Sequence, residues 1–211
     1  MEPVTVVGIG PGGRDYLTRA AEQAIEKADV LVGGTRNLAQ FPHFRGEAFV
    51  VGNNLPEVVD FIRNRRTGGK KVAVLASGDP GLFGILQFLR RHFTPAELEV
   101  IPGISAAQLA CARLALPWQD ACFVSTHGRS AEQLLGAVRT HAKIVVFCSP
   151  ADRPAEMARL ILEKTSGPKI VHLCVDLSYP GERIYTFTLQ ELAGFSEEQS
   201  YTNMVMVITD A

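Results

Sequence analysis

The run Lys71-Val72-Ala73-Val74-Leu75-Ala76-Ser77-Gly78-Asp79-Pro80-Gly81-Leu82-Phe83-Gly84 changes character partway along. Its first part is an apolar stretch of the kind that forms a strand buried on both faces, and Ile85-Leu86-Gln87-Phe88-Leu89-Arg90 beyond it reads as a helix. Ser77 to Gly84 is therefore a strand-to-helix loop. In an open α/β sheet such loops lie at the carboxyl ends of strands, where ligands bind and the next helix presents free N–H groups. Gly78, Gly81 and Gly84 permit tight turning and close approach of a ligand, and Pro80 stiffens the turn. Asp79 offers a carboxylate that either caps the helix or binds a ligand; both readings stay open here.

Upstream, Val4 to Ile9 reads as a strand, Gly10-Pro11-Gly12-Gly13 as a loop, and the stretch from about Asp15 to Ala28 as a helix with Leu17, Ala20, Ala21, Ala24, Ile25 and Ala28 on one face. Gly8, Gly10 and Gly13 fit G-x-G-x-x-G, the dinucleotide fingerprint. The next strand, Asp29 to Gly33, argues against that fingerprint. It ends in Gly33-Gly34-Thr35-Arg36, where an acidic residue would be needed for the ribose hydroxyls, and Pro11 lacks an N–H that a pyrophosphate would use. Arg36 could meet a 2′-phosphate, so an NADP-binding module stays as an alternative.

Past a loop-like Phe41 to Asn54 with a short strand at Ala48 to Val51, a helix from about Pro56 to Arg66 ends in Arg63, Arg65, Arg66, Lys70 and Lys71, a cluster that reads as a solvated helix end. Glu97 to Ile101 is a further strand. Pro102-Gly103-Ile104-Ser105-Ala106-Ala107 is a third strand-to-helix loop, with Ser105 placed to cap a helix running to about Leu116. Pro117 breaks the chain, dividing it into a first α/β domain, residues 1–117, and a second, residues 118–211. The second opens with strands at Ala121 to Ser125 and Ile144 to Cys148 and helices at Ala131 to His141 and Pro154 to Lys164. It closes with strands at Lys169 to Val175, Glu182 to Thr188 and Asn203 to Thr209, with only the short helix Leu189 to Leu192 between the last two, so its sheet should be mixed.

Composition narrows the partners. The chain has 211 residues, 46% of them hydrophobic, enough for a sizeable core, and a formal net charge of -1, so no global field draws nucleic acid or an anionic membrane. Cys111, Cys122, Cys148 and Cys174 form no C-x-x-C pair, and no His/Glu cluster has metal-ligand spacing, so no metal is expected. The start of the chain has no basic n-region and no apolar run approaches the ~20 residues of a membrane span, which reads as a cytoplasmic protein. Phosphate-loop and G-x-S-x-G patterns are also missing. What remains is an edge of three glycine-bearing loops, suited to a cofactor held by shape and main-chain hydrogen bonds.

Val6-Val7-Gly8-Ile9-Gly10-Pro11-Gly12, Ser77-Gly78-Asp79-Pro80 with Phe83-Gly84, and Pro102-Gly103-Ile104-Ser105-Ala106, in this order and spacing, resemble the tetrapyrrole methyltransferase family. Ala28 to Arg36 and Ser125-Thr126-His127-Gly128-Arg129 resemble its cobalamin-pathway branch that methylates carbon 5 of precorrin-7 or cobalt-precorrin-7. The resemblance spans essentially the whole chain. It implies two α/β domains with S-adenosylmethionine in the cleft between them, S-adenosylhomocysteine as product, and a homodimer. It places cofactor contacts on Pro11, Ser77, Gly78, Asp79, Leu82, Ser105 and Ala106, and in the second half on Phe147 and Cys148. Some relatives carry a fused domain that decarboxylates and methylates carbon 15; this chain ends at Ala211, so that activity is expected in a separate protein.

Asp79, near a helix start, should stay ionised and could complement the sulfonium. His127 is the candidate for moving a proton after methyl transfer, because imidazole titrates near neutral pH; a hydrogen bond to a neighbouring loop carbonyl is the alternative. Arg129, Arg36 and Arg14 could pair with the substrate's carboxylates or lie on the surface. Another substrate of the same family, namely a different tetrapyrrole, the modified histidine of elongation factor 2, or ribosomal RNA, is the competing functional reading.

Overall fold

The computed structural model describes residues 1–128, 131–196, 201 and 203–211. The chain divides into two compact units, Met1–Ser105 and Ala106–Ala211.

The first unit is a five-stranded sheet of β1 (Val4–Gly8), β2 (Val30–Gly33), β3 (Glu47–Val50), β4 (Val72–Ala76) and β5 (Leu98–Ile101), in the order β3-β2-β4-β1-β5 with every pairing parallel. Its helices are α1 (Arg19–Glu26), α2 (Thr35–Leu38), α3 (Leu55–Thr67) and α4 (Leu86–Leu89). The apolar strands need cover on both faces, and alternation along each strand divides the load. Val4, Val6, Val30, Val32, Val72 and Val74 pack with Val58, Val59 and Ile62 of α3 and with Leu89 of α4. Val7, Leu31, Ala73 and Leu75 pack with Ala21 and Ile25 of α1. Each of these valines, leucines and isoleucines withdrawn fully from water contributes about 1.5–3 kcal/mol, so the two layers together fix the sheet.

Helix α1 corrects one expectation. Asp15 belongs to a single 3-10 turn, Arg14–Tyr16, and the α-helix starts only at Arg19, capped by the Thr18 hydroxyl accepting from the Ala21 N–H at 3.1 Å. Arg66 corrects another. Far from solvated, it is 7% exposed and donates from Nε to the Glu2 carbonyl and from NH1 to Glu97, both at 3.1 Å, with its guanidinium over the Phe93 ring.

The second unit is a mixed sheet in the order β6-β7-β10-β8-β9: β6 (Cys122–Ser125), β7 (Lys143–Cys148), β8 (Lys169–Val175), β9 (Arg183–Thr188) and β10 (Met204–Asp210). Among the described residues of this unit, β6 and β7 pair in parallel and the other pairings are antiparallel. Helices α6 (Ala131–Thr140), α7 (Pro154–Lys164) and α8 (Leu189–Ala193) bury Leu134, Leu135, Val138, Met157, Ile161 and Leu192 against one face. Helix α5 (Ala106–Arg113) groups with this unit and packs against β10.

Candidate active site

Strand β1 lies between β4 and β5, so the loops leaving the carboxyl ends of these three strands emerge side by side. They are the three glycine-bearing loops. The β1–β4 ladder continues beyond the strands: the Ile9 N–H donates to the Ala76 carbonyl at 2.9 Å, and Gly10 and Gly78 then exchange both backbone bonds, at 3.3 and 2.7 Å. Both glycines hold left-handed backbones, φ +77° and +64°, which few side chains tolerate. The third loop closes over them so tightly that a Cβ on Gly103 would lie 2.1 Å from the Gly78 carbonyl oxygen.

Asp79 joins the same contact. Its Oδ1 accepts from the Gly81 N–H at 2.8 Å within the loop, and its Oδ2 accepts from the Gly103 N–H at 3.1 Å across to the β5 loop. The carboxylate is thus neither a plain helix cap nor an unengaged ligand group. It ties two loops together, and each oxygen keeps one acceptor direction for a further donor. Ser77, exposed, donates its hydroxyl to Asn37 Oδ1 at 2.8 Å, and the Asn37 amide donates to the Leu75 carbonyl at 3.4 Å. Asn37 lies on α2 at the carboxyl end of β2, so Arg36 beside it is also brought to this edge. Pro11 and Leu82 are half-buried, Ser105 is buried, and Arg14 is exposed in the 3-10 turn. Phe83, held at φ +54° and 38% exposed, stands on the same loop as Asp79.

In the second unit the parallel pair β6–β7 sends out a second set of adjacent loops. The Thr126 N–H donates to the Phe147 carbonyl at 3.0 Å. The Ser149 N–H is shared between Thr126 Oγ1 at 2.9 Å and Asp152 Oδ2 at 2.6 Å, and the Thr126 hydroxyl also meets Asp152 Oδ2. His127, exposed beside Thr126, has its Nδ1 3.4 Å from the Ser125 hydroxyl. In place of the loop carbonyl expected as its alternative partner, the imidazole has the hydroxyl of Ser125, the last residue of β6. Cys148 is buried, its thiol donates to the Val146 carbonyl, and burial first and the Asp152 carboxylate second push that thiol up. Any ligand contact at Cys148 is then a main-chain one. Ala106 opens α5, Phe147 is half-buried, and Arg129 lies outside the described residues.

Sequence reasoning missed Asn37 and Asp152, and gave Thr126, quoted within Ser125-Thr126-His127-Gly128-Arg129, no role of its own. The first carries no motif; the other two are polar residues just past buried strands, the positions where strand-end loops keep functional groups.

The chain belongs to the tetrapyrrole (corrin/porphyrin) methylases: residues 3–193 match the profile of that family. It is accordingly an S-adenosylmethionine-dependent methyltransferase of a tetrapyrrole substrate. A cobalt-precorrin-7 C(5)-methyltransferase of Salmonella typhimurium is 40% identical over 184 residues, 86% of this chain and 89% of that protein. A decarboxylating precorrin-6Y C(5,15)-methyltransferase of Sinorhizobium sp is 34% identical over 184 residues, 87% of this chain but 44% of that longer protein. Among solved structures, uroporphyrin-III C-methyl transferase from Thermus thermophilus, complexed with S-adenyl homocysteine, superposes with a TM-score of 0.76 at 25% identity, covering 98% of this chain and 97% of that one. The donor set in the first unit fits such a cofactor: an exposed hydroxyl on Ser77, half-buried apolar groups on Pro11 and Leu82, and open acceptor directions on Asp79 for the hydroxyls or amine of a nucleoside amino acid.

Proposed function

We propose that this protein transfers a methyl group from S-adenosylmethionine to carbon 5 of cobalt-precorrin-7 or precorrin-7. The single observation that carries the reading is 40% identity across 86% of the chain to a relative of that name. The three interlocked loops after β1, β4 and β5 support the cofactor half of it.

The residues we assign to the cofactor are Pro11, Ser77, Gly78, Asp79, Leu82 and Ser105 in the first unit and Ala106, Phe147 and Cys148 in the second. When bound, S-adenosylmethionine supplies a methyl group already activated on a sulfonium, so the protein's work is placement. Correct placement of two reactants removes up to about 7–11 kcal/mol of barrier in favourable intramolecular models. Asp79 acts by holding the β4 and β5 loops in register and by offering its remaining acceptor directions. Arg36 and Arg129 are assigned to the carboxylates of the macrocycle, where a guanidinium gives a bidentate fit. His127 is assigned to take the proton that the methylated ring carbon must lose; with Nδ1 turned to Ser125, Nε2 is the accepting nitrogen.

We further read the protein as a cytoplasmic homodimer working beside a separate carbon-15 methyltransferase and decarboxylase. The fused Sinorhizobium relative supports the pairing of the two activities, and no helix among the described residues is long and apolar enough to cross a membrane.

The test is a methyl-transfer assay with S-adenosylmethionine and precorrin-7, with and without cobalt, reading S-adenosylhomocysteine release and the mass of the macrocycle. One added methyl, mapped to carbon 5, is the expected result. Tight cofactor binding with no turnover on either substrate would overturn the substrate assignment.

A further inference from the structure

We propose that Asp152 is a positioning residue for methyl transfer, holding the loop that carries His127 against the end of β7. The proposal rests on the reading above that these loops serve the transfer reaction.

One oxygen of Asp152 takes donors from two different loops. Its Oδ2 accepts from the Ser149 N–H at 2.6 Å and from the Thr126 hydroxyl. Thr126 is bound into the same point, accepting from Ser149 N–H at 2.9 Å and giving its own N–H to the Phe147 carbonyl at 3.0 Å. Asp152 is itself anchored, since its N–H donates to the Ser149 carbonyl at 3.0 Å and the chain then enters α7, whose Ala155, Met157, Ala158 and Ile161 are buried. If Thr126 swings away from β7, the Ser149 N–H and the carboxylate each lose one of their partners and the Thr126 N–H loses the Phe147 carbonyl. His127 follows Thr126 directly, and Phe147 and Cys148 precede Ser149 directly. The carboxylate therefore sets the spacing between the assigned proton acceptor and the assigned cofactor contacts of this unit. Asp79 does the corresponding task in the first unit with its two oxygens separately.

This difference yields a sharp test. Because one oxygen of Asp152 takes both donors, Asp152→Asn keeps an acceptor where it is needed, whereas Asp152→Ala removes that acceptor and Thr126→Val removes the hydroxyl that donates to it. Wild type and the three variants are compared by thermal melting, by calorimetric titration with S-adenosylhomocysteine, and by steady-state methyl transfer. Displacing a catalytic group by about an ångström can lower turnover by roughly a hundredfold, so Asp152→Ala and Thr126→Val are expected to lose about 10- to 100-fold in kcat while cooperative melting persists. Asp152→Asn is expected to recover to within about fivefold of wild type, since a neutral amide oxygen still accepts both bonds, if more weakly. Folded Asp152→Ala with kcat and both KM values within twofold of wild type overturns the proposal. So does an Asp152→Asn that is folded and as impaired as Asp152→Ala. If Asp152→Ala does not fold, Thr126→Val and Asp152→Asn decide between the same outcomes. Failure of the wild type itself to bind S-adenosylhomocysteine sinks the underlying site assignment, and the proposal with it, and is told apart from the other failures by occurring before any substitution is made.

Discussion

A Cβ built on Gly8 would lie 2.5 Å from the backbone nitrogen of Gly103, and one built on Gly103 would lie 2.8 Å from the Gly8 Cα. Gly8 ends β1 and Gly103 lies in the loop just past β5, and the two meet without any side chain between them, so the contact has no flexible part that could yield.

Gly103→Ala therefore forces the β1 and β5 loops apart. Overpacking of this kind typically costs about 1–3 kcal/mol, and we expect a lower melting temperature together with a clear loss of S-adenosylhomocysteine affinity by calorimetric titration. Gly136→Ala is the contrasting variant. Nothing lies within 4 Å of a Cβ there, in the middle of α6, and replacing a helical glycine should raise stability by about 0.5–1 kcal/mol with binding unchanged.

Asp79→Asn should behave unlike Asp152→Asn. Each oxygen of Asp79 meets a different N–H, so an amide turns its NH2 toward one donor whichever way it sits. Leaving one N–H unmet costs about 1–3 kcal/mol, equivalent to roughly 5- to 150-fold in cofactor Kd if the loss appears in binding. Asp79→Asn within twofold of wild type in both melting and titration would remove the loop-tying role.

Stability should fall in acid through Glu97. Its carboxyl is lowered from 4.5 to about 2, chiefly by the Thr94 backbone N–H, then by Arg66 and the Thr94 hydroxyl. The unfolded chain thus binds a proton near pH 4 that the folded chain does not, so stability rises with pH across this window. The contribution is present above the ordinary value and is lost as pH falls toward about 2. Denaturant melts of wild type and Glu97→Gln should differ at pH 6 and converge as the pH approaches 2.

The cysteines should divide by burial. Cys111, Cys148 and Cys174 are buried and Cys122 is half-buried; burial pushes the thiols of Cys111, Cys148 and Cys174 up, that of Cys174 to about 12. Since the thiolate is the reactive form, an aromatic disulfide reagent should modify Cys122 first and the other three only after denaturant is added. Fast modification of Cys148 in the native protein would contradict the placement of its side chain in the core.

The parts legible in the sequence were those governed by local pattern. The apolar runs Val72 to Ala76 and Ile144 to Cys148 are short, rich in valine and bounded by turn residues, which reads as buried strands, and the glycines after β1, β4 and β5 marked where loops must crowd together. The parts that were not legible depend on partners far along the chain. Arg66 sits in a run of basic residues, and only partners distant in the chain, the Glu2 carbonyl, the Phe93 ring and Glu97, accompany its burial. Thr126 and Asp152 are 26 residues apart and no motif joins the two, so their shared point appears only once β6 and β7 pair. The start of α1 was misplaced for another reason: Asp15 and Thr18 are both good capping residues, and Asp15 falls inside the 3-10 turn Arg14–Tyr16 while Thr18 caps the helix.

That late start of α1 bears on which ligands the first loop can favour. A helix beginning immediately after Gly10 would aim the positive end of its peptide dipoles at the loop, an arrangement that attracts phosphate. Here the helix begins at Arg19, its first-turn Ala21 N–H is taken by Thr18, and the Gly10 N–H is committed to Gly78. The loop consequently keeps the glycine spacing of a phosphate binder without its anion preference, and a ligand carrying a cationic sulfur meets no opposing helix field from α1 there.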